Sequence, residues 1–118
     1  MSLKLEHKNI INNEVQKLVS LLIKGDFDKI VAKNQNGELQ IEQIQDAINE
    51  YGGILTFANY EDYHTADICP LGVDEKGNSD EYVVLYDLWI DDEKSDLTLQ
   101  MVVNVVETTV EIFGIRVM

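Results

Sequence analysis

The chain is short of the residues that staple, stiffen or punctuate a fold. Among 118 residues there is one cysteine, Cys69, and one proline, Pro70. A lone cysteine excludes an internal disulfide, and a chain without a disulfide framework fits a reducing, cytoplasmic setting. With one proline and seven glycines there is little material for a long flexible linker, and no repeat or low-complexity tract is visible. No segment approaches the roughly 20 consecutive apolar residues that span a bilayer. The opening MSLKLEHKNI has no apolar core followed by a small-residue cleavage site, so neither membrane association nor secretion by that route is expected.

Positive charge is scarce too. Nine Lys and Arg face 22 Asp and Glu, for a net charge of −13, and Arg116 is the one arginine. Such a field repels nucleic-acid phosphates, so no nucleic-acid partner is expected, while a basic protein partner is favoured. The deficit is uneven. Residues 1–50 hold six lysines and eight acids, giving −2, whereas residues 51–118 hold three cations and 14 acids, giving −11.

What is present is enough for one real core. A hydrophobic fraction of 45% in a chain this long is that of a single globular domain, 1–118. Ile11, Val15, Leu18 and Leu22 recur at helical spacing and predict a helix over 8–24, with Val19 and Ile23 widening the stripe, Glu14 and Lys17 facing away, and Gly25 as its stop. Asp26 is placed to cap a second, short helix running to residue 31 or 33. Ile41, Ile44, Ile48 and Tyr51 predict a third helix over 41–51.

After Gly53 the period changes to that of strands. Residues 54–57 form a short strand candidate, and 58–64 a loop. Residues 65–73 read as an edge strand because Pro70 removes a ladder donor. The run DEKGNSD, 74–80, is a turn. Residues 81–90 alternate Val83, Leu85, Asp87 and Trp89 with Tyr82, Val84, Tyr86, Leu88 and Ile90, so both faces are expected to be covered. Residues 91–94 turn the chain, 95–106 form a long strand, and 110–117 a last one whose alternation slips between Ile112 and Phe113, beside Gly114, as at a bulge. Helices followed by hairpin-linked strands predict an α+β fold with two or three helices packed on a curved antiparallel sheet. In element order this looks like a cystatin-like or NTF2-like roll.

The stretch Tyr86–Gln100, YDLWIDDEKSDLTLQ, carries a resemblance. Its Leu88–Trp89 pair, charged turn and run from Ser95 to Leu99 resemble a family of small bacterial proteins of unknown function. The helix end Glu50–Tyr51–Gly52 and the GDF turn at 25–27 resemble it as well. Members often carry a histidine near the C-terminus where this chain has Arg116. The resemblance implies a fold and no substrate.

Candidate site residues follow from chemistry. Asp87 lies on an apolar strand face where burial would raise its pKa, although a hydrogen-bonded structural role is the commoner fate of such an acid. Trp89 offers a flat apolar ring with one N–H, and serves in a core as readily as in a pocket. Tyr51 supplies a hydroxyl. Arg116 is suited to a carboxylate, from a ligand or from Asp87 or Glu111. His7 and His64 are isolated from further ligands at metal spacing, so no metal and no cofactor are expected. Cys69 reads as an inert thiol, and Ser95–Asp96 as a turn-closing pair.

Three functions compete. The first is a non-catalytic small-molecule-binding domain lined by Asp87, Trp89, Tyr51 and Arg116. The second is an acidic protein-interaction module, such as an immunity-type antagonist of a basic toxin. The third is an isomerase- or dehydratase-type enzyme. A homodimer through an apolar sheet face is compatible with each.

Overall fold

A computed structural model describes residues 4–58 and 66–118. The first helix, α1, is Leu5–Lys24, and it buries Ile11, Val15, Leu18, Val19 and Leu22. It ends as expected at Gly25. There φ of 72° lets the Gly25 N–H reach the Leu22 carbonyl at 3.2 Å, while Asp26 N–H reaches that of Leu21 at 2.9 Å. Glu14, expected to face solvent, is buried instead beside the core stripe, with the Lys17 ammonium 3.3 Å from its Oε2.

The second helix, α2, is Phe27–Ala32, with Ile30 wholly buried. The Asp26 side chain does not cap it. At φ −81° and ψ 55° the residue is outside the extended conformation that aims a capping oxygen at the first turn, and its carboxylate turns toward Lys29, 3.9 Å away. The third helix, α3, is Ile41–Tyr51, as the spacing predicts. Gln43 Oε1 accepts the Gln40 N–H at 2.8 Å and so satisfies one free donor at the helix start.

The strands are β1 (Leu55–Thr56), β2 (Asp67–Pro70), β3 (Glu81–Ile90), β4 (Glu93–Asn104) and β5 (Thr109–Val117). They form a curved, unclosed antiparallel sheet of order β1-β3-β4-β5, with β2 also paired to β3. Because β4 occupies one side of β3, both β1 and β2 lie along its other side, and Pro70 falls at an edge as expected. The β3–β4 hairpin turns on Asp91 and Asp92, both at positive φ (52° and 65°), the two-residue geometry that matches the twist of the strands. The predicted bulge is present. Met101 pairs with Ile112 and Gln100 with Gly114, which leaves Phe113 as the extra residue. A Cβ at Gly114 would collide with the Gln100 side chain, which lies directly over it.

Cross-strand partners share a face. Tyr82, Val84, Tyr86 and Leu88 of β3 lie with Leu99, Met101 and Val103 of β4 and with Val110 and Ile112 of β5. All are buried and join the α1 stripe, Ile30 and Ile44 in one core. The expectation that both faces of β3 are covered holds for this face alone. Val83, Leu85, Asp87 and Trp89 on the outer face are half-buried, because the three described helices contribute their apolar side chains to the inner one.

The free edge of β5 is partly latched. The Gln35 carbonyl, in the α2–α3 connection, accepts the Ile112 N–H at 2.7 Å. Two residues on, Gly37 has φ of 57°, and a Cβ there would lie 2.6 Å from Glu111 Oε1 and 2.8 Å from the Ile112 carbonyl. Only glycine fits so close an approach at that backbone angle.

Candidate functional site

The four residues singled out from the sequence occupy three places. Asp87 stands mid-strand on the outer face, where its Oδ1 accepts the Thr98 hydroxyl at 2.7 Å. Thr98 pairs across β4 with Asp87 on one side and Arg116 on the other, so an acid, a hydroxyl and a guanidinium form a row across three strands. Among the described residues no ion pair joins Arg116 to Asp87 or Glu111. Asp87 also lines a depression of about 100 Å³ with Asp67, Leu85, Lys94 and Met118. Tyr51, at the end of α3, donates its hydroxyl to Asp96 Oδ1 at 2.7 Å. It shares with Leu97, Ile115 and Arg116 a groove of about 490 Å³ beside the β5 edge. Trp89 is half-buried opposite Lys94 and is paired to Thr56 of β1. Tyr51 and Arg116 therefore line one groove, Asp87 lies on the outer face in register with Arg116 through Thr98, and Trp89 sits nearer the hairpin end.

Other candidates resolve into structural roles. Ser95 donates its hydroxyl to the Leu88 carbonyl and accepts the Leu97 N–H at 3.2 Å, closing the start of β4 as predicted. Asp74 Oδ1 accepts the N–H groups of Lys76 and Asn78, both at 2.9 Å, which makes residues 74–80 a side-chain-closed turn. The Cys69 thiol is exposed. His7 Nδ1 lies 2.9 Å from the Tyr82 hydroxyl, and the two rings pack edge-on. Burial of Tyr82, and after it the negative charge of Asp80, push the phenol above its ordinary pKa. His64, with its neighbours Tyr60, Asp62 and Tyr63, lies outside the described residues. Among the described residues no three His, Cys, Asp or Glu side chains are grouped to hold a metal.

A larger groove than these, of about 640 Å³, lies elsewhere among the described residues, between α1, α2 and the end of β1. Its wall includes Ser20 and Leu21 of α1, Phe57 just beyond β1, and the three lysines Lys17, Lys29 and Lys33. Its origin is local. Lys17, Ser20 and Leu21 sit one turn apart on the α1 face beside the core stripe, and Lys29 and Lys33 are four residues apart along α2. Phe57 follows the strand and leaves over half of its surface in water. Among the described residues its lining contains three cations and no acid. By contrast, Glu50 stands with Arg116 in the Tyr51 groove, and Asp67 and Asp87 with Lys94 in the outer depression. The hollow by the 74–80 turn is lined by Asp74, Asp80 and Glu81 with no cation. The sequence did not single this groove out, because it joins three separated segments and its polar stripe has the spacing of any solvated helix face.

The comparisons with known proteins give a family and no activity. The model of the family described as Domain of unknown function (DUF7668) matches residues 19–118. No curated protein and no solved structure matches the chain. The match spans most of the chain, which therefore belongs to that family.

Proposed function

From a membership that assigns no chemistry, we propose that this protein is a non-catalytic small-molecule-binding domain whose ligand occupies the α1–α2 groove. One observation carries the reading. At about 640 Å³ the groove falls within the roughly 300–1,000 Å³ of small-molecule sites, and it combines apolar Leu21 and Phe57 with a few convergent polar groups. The inner face of the sheet, where a roll of this type would open its cavity, is filled by buried side chains of α1 and the strands. In the same reading the roll is of the cystatin-like or NTF2-like kind, on element order, and the protein works in the bacterial cytoplasm, on its lone cysteine. No helix among the described residues is long and apolar enough to cross a membrane. The test is a small-molecule panel read by amide NMR on the full chain. Saturable shifts at Ser20, Leu21 and Phe57, abolished when Leu21→Trp fills the groove, support the reading. Hits that map to the sheet, or no saturable shift across the panel, sink it.

The second reading, an acidic module for a basic protein partner such as a toxin, is supported by the −11 of residues 51–118 and the steering such a field provides. An association rate with a basic candidate partner that does not fall as salt is added removes that support.

A further inference from the structure

We propose that the ligand of the α1–α2 groove is a small amphiphilic organic anion. Its phosphate or carboxylate head is held among Lys17, Lys29 and Lys33, and its apolar body lies on Leu21 and Phe57. The inference rests on the groove being the ligand site, and it is carried by charge complementarity. The chain has only nine cations among 118 residues, and three of them converge on one groove that holds no acid among its described lining residues. Two acids stand behind the lysines, Glu14 at 3.3 Å from Lys17 and Asp26 at 3.9 Å from Lys29. Counting both, cations are still in excess there. Lys29 of α2 and Lys33 just after it are exposed and line the groove on one side, while Lys17 lines it from α1, so a head group between the helices meets positive charge from two sides. The Ser20 hydroxyl adds a donor on the same wall.

The apolar half of the ligand follows from Phe57 and Leu21. Phe57 is 54% exposed at the lip of the groove, and Leu21 is only half-buried beside it. An inorganic anion would leave both in water, whereas a short hydrocarbon body removes that surface from solvent. The net charge sets an upper limit on ligand charge. A polyanion extends beyond the lysines into the field of a chain carrying −13, and that repulsion reaches over a Debye length of roughly 8–10 Å at physiological salt. A single small anion meets the lysines at contact distance, where they dominate.

The experiment titrates the full chain, by calorimetry and amide NMR, with octyl phosphate, octanoate, octanol and inorganic phosphate, all below micelle-forming concentrations. The expected result is saturable binding of octyl phosphate and octanoate with shifts at Ser20, Leu21 and Phe57. Octanol and inorganic phosphate are expected to bind at least about tenfold more weakly, since each lacks either the charge-assisted bonds or the buried area. A Lys29→Gln/Lys33→Gln double variant, exposed at both sites, is expected to weaken the two amphiphilic anions by about tenfold and leave octanol unchanged. The stronger of the two anions identifies the head group. Octanol binding as tightly as octyl phosphate overturns the anion and leaves the ligand-binding reading standing. Inorganic phosphate binding as tightly overturns the apolar body. Binding of the two anions with no shift in the groove, or unaffected by the double variant, overturns the lysine site. If none of the four binds but other members of the panel shift the groove, this inference falls alone. If nothing shifts it, the ligand-binding reading falls with it.

Discussion

The helical half and the sheet half share one core but carry very unequal charge. Residues 1–50 carry −2 and residues 51–118 carry −11. Yet Ile11, Leu18, Ile30 and Ile44 from the first half and Val84, Leu99, Met101 and Ile112 from the second are all fully buried. The segregation of charge therefore does not reflect a segregation of packing. The groove on the helical layer is lined by lysines, whereas the four described hollows around the strands hold acids with at most one cation each. A net charge describes how partners approach from a distance. It says little about one groove, where three side chains at contact range outweigh a dozen across the molecule.

The largest test of this division compares the two faces of one strand. Leu99, fully buried on the inner face of β4, is expected to cost about 2–5 kcal/mol as Leu99→Ala in urea unfolding. Val102, half-buried on the outer face, costs clearly less as Val102→Ala. Equal costs would show that a second covered core exists. Next is the contact between the halves at the β5 edge. Gly37→Ala is expected to cost about 1–3 kcal/mol, from positive φ and from crowding against Glu111 and Ile112. It also raises hydrogen exchange at the Ile112 amide, whose acceptor is the Gln35 carbonyl. Unchanged exchange there means that the latch does not hold the edge.

Thr98→Val removes the donor to Asp87 within the sheet half alone, and about 1–2 kcal/mol of stability is expected to be lost, again by urea midpoint. A silent substitution would mean that solvent replaces the Thr98 hydroxyl at Asp87. The smallest effect joins α1 to β3 through His7 and Tyr82. The folded-state pKa of Tyr82 is raised, so its contribution is fully present below the ordinary tyrosine value of about 10 and is lost as pH rises through the folded value. Thermal unfolding between neutral and strongly alkaline pH should therefore show a decline that Tyr82→Phe flattens. An undiminished decline in the variant would assign it to other groups.

Much of this architecture was readable from residue spacing, and the reasons are specific. Residues 41–51 and 81–90 were read correctly, since Ile41, Ile44 and Ile48 have helical spacing and 81–90 is a largely apolar run of strand length. The Phe113 bulge was readable because it breaks the alternation of the last strand beside a glycine. Spacing failed where side-chain chemistry set the boundary. Predicted as 54–57, β1 is only two residues long, because the Ile54 N–H goes to Asp91 Oδ1 and the Asp92 N–H to Thr56 Oγ1 in place of further ladder bonds. Glu14 was misplaced because one helical position beside an apolar stripe can fall on either side of the boundary. The site was the least legible part. Asp87, Tyr51 and Arg116 were chosen for chemistry; the register aligns Asp87 with Arg116 through Thr98, and Tyr51 lines a groove with Arg116. The lysine groove joins three separated segments, and its spacing on α1 is that of any solvated helix face.

The glutamine lying over the β5 bulge also bears on the history of the family. Gln100 occupies the space that any side chain at position 114 would require. A side chain at 114 has to displace the flexible end of Gln100, and a smaller residue at 100 removes that displacement. The two positions, 14 residues apart in the chain, should vary as one character when members of the family are aligned.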